Sequence, residues 1–257
     1  MLTPVVVSIG ATEPWNVAGL GLDVRALAAC GARPLSVVAG VTAQDRAGLR
    51  AAAPIAPGLI AAQLDALADA EIAAVRIGAL LDPPSVAAVA AWLRESGPRT
   101  RGPVVYDPVL GPSGGGTFAD DATLASLVSD LVPLATVVTP NLAEIARLTG
   151  VAVPATPDAM AAAGRVLRAS GAAAVLVTGG HLAAEPVDVL IWAGGERRFA
   201  APRLAGSLRG TGCLLACALA VSLARGDSLP QAIEAARTFV RDRFVHAVEV
   251  AGMRVAY

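Results

Sequence analysis

Along the whole chain, short runs of β-branched residues alternate with Ala/Leu-rich stretches of helical length. A strand, a helix and a second strand close as a right-handed crossover, so repetition of this unit builds an α/β fold with a mostly parallel central sheet. Strands are expected at 4–10, 34–41, 74–78, 103–109, 136–140 and 174–180. Two more, 187–192 and 197–202, read as an antiparallel edge pair around the turn "AGGE". Helices are expected at 59–69, 84–95, 157–169, 212–225 and 229–246, on both faces of the sheet. No linker, repeat or low-complexity tract interrupts this pattern, and 257 residues suit one large domain, 1–257.

Charge narrows the partners. With 21 acidic and 20 basic residues the net charge is near zero, which argues against nucleic acid and anionic membranes as partners, since both are bound by clustered cations. All the basic residues are arginine. A chain without lysine has neither the Walker A lysine of a P-loop nor a Schiff-base lysine for pyridoxal phosphate. Cys30, Cys213 and Cys217 form no CxxC pair, no signal peptide is legible and no uncharged apolar stretch reaches the length of a membrane span. These features read as a reduced, cytoplasmic protein. "GLGLD" lacks the third glycine of a dinucleotide fingerprint, and His181 and His246 pair with no cysteine for zinc.

In open parallel sheets ligands sit where the carboxyl ends of the strands meet their loops. The polar, glycine-bearing stretches fall there: "GATEP", "VTAQD", "DPVLGPSGGG", "TPNLAE" and "GGH". A further one, "GTGC" at 210–213, opens an apolar helix. Glycines at a helix N-terminus let an anion approach free amides, although Thr211 as a plain N-cap explains the same residues. Cys213 in the first helical turn is expected to have its thiol pKa lowered by the macrodipole and to serve as a base for a hydroxyl, or else to be a small buried hydrophobe. Asp107, ending an apolar strand, calls for a cation or hydrogen bonds. Asn141 and Glu144 match a capping box, and the same two side chains could instead hold waters around Mg²⁺. "GPSGGGT" at 111–117 is either a phosphate flap or a plain loop.

"VTAQ", "DPV", "TPNLAE", "VTGGH", "FAAPRL" and "GTGC" occur in the order found in the hydroxymethylpyrimidine and phosphomethylpyrimidine kinases of thiamine biosynthesis, and the chain resembles that branch of the ribokinase-like superfamily over nearly its whole length. The resemblance implies a three-layer ribokinase-like kinase that uses ATP and Mg²⁺ on a small pyrimidine, most simply as a homodimer. It implies that Gln44 meets the aminopyrimidine, with Ala18, Gly19 and Asp23 on the same substrate side. Gly210, Thr211 and Gly212 would form the anion hole, and Cys213 would sit at the accepting group. Thr178, Gly180 and Arg209 would face the nucleotide, and Asp107, Asn141 and Glu144 would organise the metal. Two departures are visible. The family outline D-x-S-G-G-A-G stands here as "EPWNVAG", and Thr178 replaces the lysine before "GGH", a place from which Arg209 is expected to compensate. A pyridoxine-type kinase and a non-catalytic pyrimidine- or nucleotide-binding homologue are the alternatives.

Overall fold

The computed structural model describes residues 3–95, 102–112, 116–183 and 185–256. Its sheet has nine strands in the order β3-β2-β1-β4-β5-β6-β7-β8-β9. They are β1 (Val5–Thr12), β2 (Arg33–Asp45), β3 (Gly48–Pro54), β4 (Ile72–Ile77), β5 (Val104–Tyr106), β6 (Val137–Val138), β7 (Ala174–Val177), β8 (Val187–Trp192) and β9 (Gly195–Ala200). Strands β1, β2, β4, β5, β6 and β7 run parallel, so their carboxyl ends line one rim. β8 and β9 form the expected antiparallel pair.

Side chains alternate across the sheet and define two apolar layers. Val7, Ile9, Val75, Ile77, Val138 and Val175 pack on one face beneath α2 (Pro57–Asp65), α3 (Pro83–Glu95), α5 (Leu142–Thr149) and α6 (Pro157–Ala169). Val6, Ala74, Val105, Val137 and Leu176 pack on the other, against α1 (Gly19–Ala29), α7 (Thr211–Ala224) and α8 (Leu229–Val245). α4 (Asp121–Ser126) continues into a π-helical and a 3₁₀ turn, and β10 (Val248–Val250) with β11 (Met253–Val255) makes a separate hairpin. No helix of the described residues is long and apolar enough to cross a membrane.

The second strand departs from expectation. β2 does not end before "VTAQD" but continues through it to Asp45, and β3 folds back antiparallel at the opposite edge from β9. An alanine-rich strand, "GLRAAAP", carries little of the β-branched signal used to find strands. Gln44 therefore lies on a strand, at a register shift, rather than in a loop.

One charged group crosses the core. Arg76, near the end of β4, is 1% exposed, and it bonds Asp23 of α1 (Nη1 to Oδ2, 2.8 Å) and Asp107 after β5 (Nη2 to Oδ2, 2.6 Å). Ser8 donates to the same Asp23 oxygen at 2.7 Å, and Cys217 approaches the other at 3.5 Å. A Cβ at position 78 would overlap Arg76 Nη1, so Gly78 makes room for the guanidinium. This arrangement ties a helix, two strands and α7 together at the functional rim. Breaking a buried pair leaves uncompensated charge and costs about 3–5 kcal/mol. Chemical denaturation of Arg76→Met is expected to show a loss of that order, larger at pH 8 than at pH 5, because protonation relieves the two abandoned carboxylates. Equal midpoints for mutant and wild type at both pH values would show that the guanidinium contributes nothing.

Candidate active site

α7 is buried over its whole middle, Cys213 through Ser222, which fixes its entrance at the sheet rim. The N-cap is Gly210, not Thr211. It has φ +79° and no side chain caps the helix. A Cβ here would overlap Leu22 and lie 2.6 Å from the Val17 carbonyl, so only glycine lets these segments meet. Leu214 N–H closes the first turn on Gly210 O at 2.9 Å. The amides of Thr211, Gly212 and Cys213 have no partner among the described residues, as the first amides of an uncapped helix must. A Cβ on Gly212 would lie 3.6 Å from Asp107 Oδ1, which sets the Asp107 carboxylate directly below this entrance.

Cys213 corrects the expected thiol chemistry. It is 7% exposed, with Gly19, Asp23, Arg76 and Asp107 as its polar neighbours. Burial pushes its pKa up to about 12, the Arg76 guanidinium pulls it down and the Asp23 and Asp107 carboxylates push it up. A helix terminus supplies only about 0.3–1 kcal/mol to an adjacent charge, less than one pKa unit, so desolvation wins. The group is a thiol, not a thiolate base. Burial also raises Cys217, which lies against Asp23, and takes the half-buried Cys30 thiol up to about 11.

On the side of β2, the Gln44 amide is half-buried and has no hydrogen-bond partner among the described residues. Arg209 does not reach toward Thr178. Its guanidinium donates to the carbonyls of Asp45 and Arg46, both at 3.1 Å, and so clamps the β2–β3 turn to the α7 entrance. β2 and β7 are separated by five strand spacings, about 24 Å at about 4.8 Å each, so no compensation for Thr178 comes from here. Asp23 is 0% exposed and its carboxylate is engaged with Arg76, Ser8 and Cys217. The Ala18 amide is taken by Glu13 at 3.0 Å, so it is not an open donor, and Gly19 neighbours Cys213.

On the side of β6 and β7, Asn141 and Glu144 form the capping box of α5. Asn141 Oδ1 accepts from Ala143 N at 2.9 Å and Glu144 N at 3.0 Å, and Glu144 Oε2 accepts from Asn141 N at 2.8 Å. Asn141 Oδ1 and Glu144 Oε2 are thus both engaged in capping α5, and among the described residues no three His, Cys, Asp or Glu side chains gather as a metal-holding group. Glu144 is buried, and burial first, then the Asp107 charge, pushes its pKa up to about 8. Thr178 N–H bonds Pro140 O at 2.9 Å, and Gly179 N–H bonds Asp188 at 2.8 Å. Gly180 is exposed, and its carbonyl accepts from Arg203 at 2.9 Å. The middle of the glycine-rich loop, 113–115, lies outside the described residues.

Three residues were missed. Arg76 betrays itself as an arginine inside the apolar run "AVRIG", Arg203 sits within the quoted "FAAPRL", and Glu13 occupies the acidic place that opens the altered "EPWNVAG" segment.

The model of the phosphomethylpyrimidine kinase family matches residues 14–255. A hydroxymethylpyrimidine/phosphomethylpyrimidine kinase of Rhizobium meliloti is 35% identical over 242 residues, 93% of this chain and 90% of its own. One from Streptomyces coelicolor is 37% identical, over 92% and 87%. Among solved structures, an ADP complex of Bacillus subtilis pyridoxal kinase superposes with TM-score 0.89 at 25% identity, over 99% of this chain and 97% of the other. Sequence and fold thus agree, and the chain belongs to the phosphomethylpyrimidine kinase family of phosphotransferases, with a ribokinase-like fold.

Proposed function

We propose that this chain transfers the γ-phosphoryl group of ATP to hydroxymethylpyrimidine, to its monophosphate, or to both in turn. The observation that carries the reading is the uncapped entrance of α7, where three amides point away from any protein partner beside Asp107. Phosphoryl transfer passes through a loose, highly charged arrangement and asks for positioning and charge stabilisation more than for a strong base. The Thr211, Gly212 and Cys213 amides stabilise the equatorial oxygens. The Cys213 thiol, beside Gly19 and the Asp107 carboxylate, shapes the wall of that pocket. Gln44 offers one donor and one acceptor to the edge of an aminopyrimidine.

The carboxyl oxygens of Asp107 and Glu144 fit a hard divalent cation such as Mg²⁺, held largely through water, and its charge would displace the proton that Glu144 retains. Such an ion would neutralise charge on the β- and γ-phosphates. Asn141 contributes by holding the α5 entrance in place. A homodimer working in the cytoplasm completes the reading on the family resemblance.

The direct test is ATP consumption with hydroxymethylpyrimidine, its monophosphate and pyridoxine, each with and without Mg²⁺. Turnover with a pyrimidine is the expected result. Turnover with pyridoxine alone would move the chain to the second reading, which the likeness to the Bacillus subtilis enzyme keeps in the panel. No turnover with any would leave a binding role.

Two further outcomes follow from the same geometry. An unpaired polar edge in a closed site costs about 1–3 kcal/mol, so Gln44→Ala is expected to raise the acceptor KM tenfold or more while the KM for ATP stays within about twofold. Glu144 ties stability to pH. Its carboxyl group moves from 4.5 to about 8 on folding, so between those values the folded state keeps a proton that the unfolded chain has released. Stability contributed at this position therefore falls as pH rises from about 4.5 to about 8, then levels off. Gln preserves the capping box, so Glu144→Gln should melt roughly 3–8 °C above wild type at pH 8.5 without Mg²⁺, the equivalent of about 2 kcal/mol, with the gap closing toward pH 5. A gap independent of pH would mean that the carboxyl group carries no raised pKa.

A further inference from the structure

Glu13 follows β1 and is 4% exposed, yet no salt bridge to its carboxylate is found among the described residues. Three backbone amides hold it instead. Oε2 accepts from Trp15 N at 2.7 Å, and Oε1 accepts from Val17 N and from Ala18 N at 3.0 Å. The carboxylate thus fills the nest of amides ahead of α1 and fixes the 13–18 loop in one shape. That shape places Asn16 at φ +51°, its carbonyl bonded by Arg25 and its side chain where a Cβ on Gly21 would fall.

The loop borders the proposed transfer site. Its Val17 carbonyl lies against Gly210, and it leaves β1 at Thr12, whose carbonyl accepts from Thr42 Oγ1 at 3.2 Å on the strand that carries Gln44. On this loop stands Trp15, 43% exposed. It is the one exposed aromatic side chain among the described residues, since Trp92 and Trp192 pack partly buried against the two cores. A large ring left in water costs burial energy that a flat ligand can recover, and heteroaromatic rings stack on indole faces.

We infer that Trp15 forms an aromatic wall against the acceptor ring and that Glu13 is the positioning residue which holds it there, selecting acceptors with a flat heteroaromatic ring. The site ahead of α1 is closed to anionic groups because Glu13 already occupies it. This rests on the acceptor reading above, narrowing it from a substrate to the residues that grip its ring.

The test combines turnover with indole fluorescence. Titrating hydroxymethylpyrimidine into the wild-type protein should change tryptophan emission saturably, and Trp15→Phe should abolish that change while returning KM toward the wild-type value. Trp15→Ala should raise the acceptor KM about three- to tenfold, the range an aromatic contact supplies, with kcat within about twofold. Glu13→Gln should raise KM similarly on its own but add no more than about twofold on top of Trp15→Ala. An equal effect of Glu13→Gln in both backgrounds would make it a purely structural residue and overturn its assignment. Wild-type turnover with an unchanged KM in Trp15→Ala would overturn the aromatic wall alone. Absence of wild-type turnover with every hydroxymethyl heterocycle would instead bring down the acceptor reading and this inference with it.

Discussion

The contact between Arg76 and its two carboxylates decides what the rest of the functional rim can be. Asp23 comes from α1, Asp107 from the end of β5, and Arg76 from β4 between them. Two carboxylates share one guanidinium, and burial raises both of their pKa values despite it. The residual negative charge cannot be dispersed into solvent, since the partners are 0–3% exposed. It is met by hydrogen bonds from Ser8 and Cys217, by the Cys213 thiol beside Asp107, and at the surface of the network by whatever lies over Gly212. The electrostatic character of the entrance to α7 is therefore set from beneath, by the core.

The helix itself is shaped by the same demand. Its buried stretch, Cys213 to Ser222, is apolar except for the two thiols, which lie beside the carboxylates, and the Ser222 hydroxyl, which donates to Asp227. A helix that buried exposes its backbone polarity only at its ends, and the N-terminal end is the one directed at the site. Replacing Gly210 by any residue with a Cβ would strain a left-handed backbone and collide with the Val17 carbonyl at once. The two glycines thus serve separate needs. Gly210 turns the chain, and Gly212 leaves the space above Asp107 open.

Much of this was legible beforehand, for identifiable reasons. The parallel strands announced themselves because both of their faces are covered, which turns them into continuous apolar runs. The capping box of α5 is a local pattern with a local cause, and it formed. β3 was hidden because three consecutive alanines carry no strand signal, and Gln44 was consequently placed in a loop. Cys213 was misjudged because position in a helix predicts the dipole but says nothing about depth, and burial outweighs the dipole several-fold. Asp23 was placed on the substrate side by the resemblance and Arg209 beside the nucleotide by its place before "GTGC", and neither guide shows a side chain's partners, which come from elements 53 and about 160 residues away.

Two helix N-termini meet at the rim, and the chain treats them oppositely. Ahead of α1, Glu13 supplies its own anion, buried and bound by three amides, so that nest is satisfied before any ligand arrives. Ahead of α7 no side chain does so, although Thr211 stands in the sequence where a capping hydroxyl would be expected. Neither end needs a lysine. On the proposed reading, an anion arriving at this rim would be turned away from the first nest by the Glu13 carboxylate and received at the second by amides that have no partner among the described residues, beside the carboxyl oxygens of Asp107 and Glu144 that would suit a divalent cation. The direction of a phosphate's approach would then follow from which of two adjacent helix ends carries its own cap.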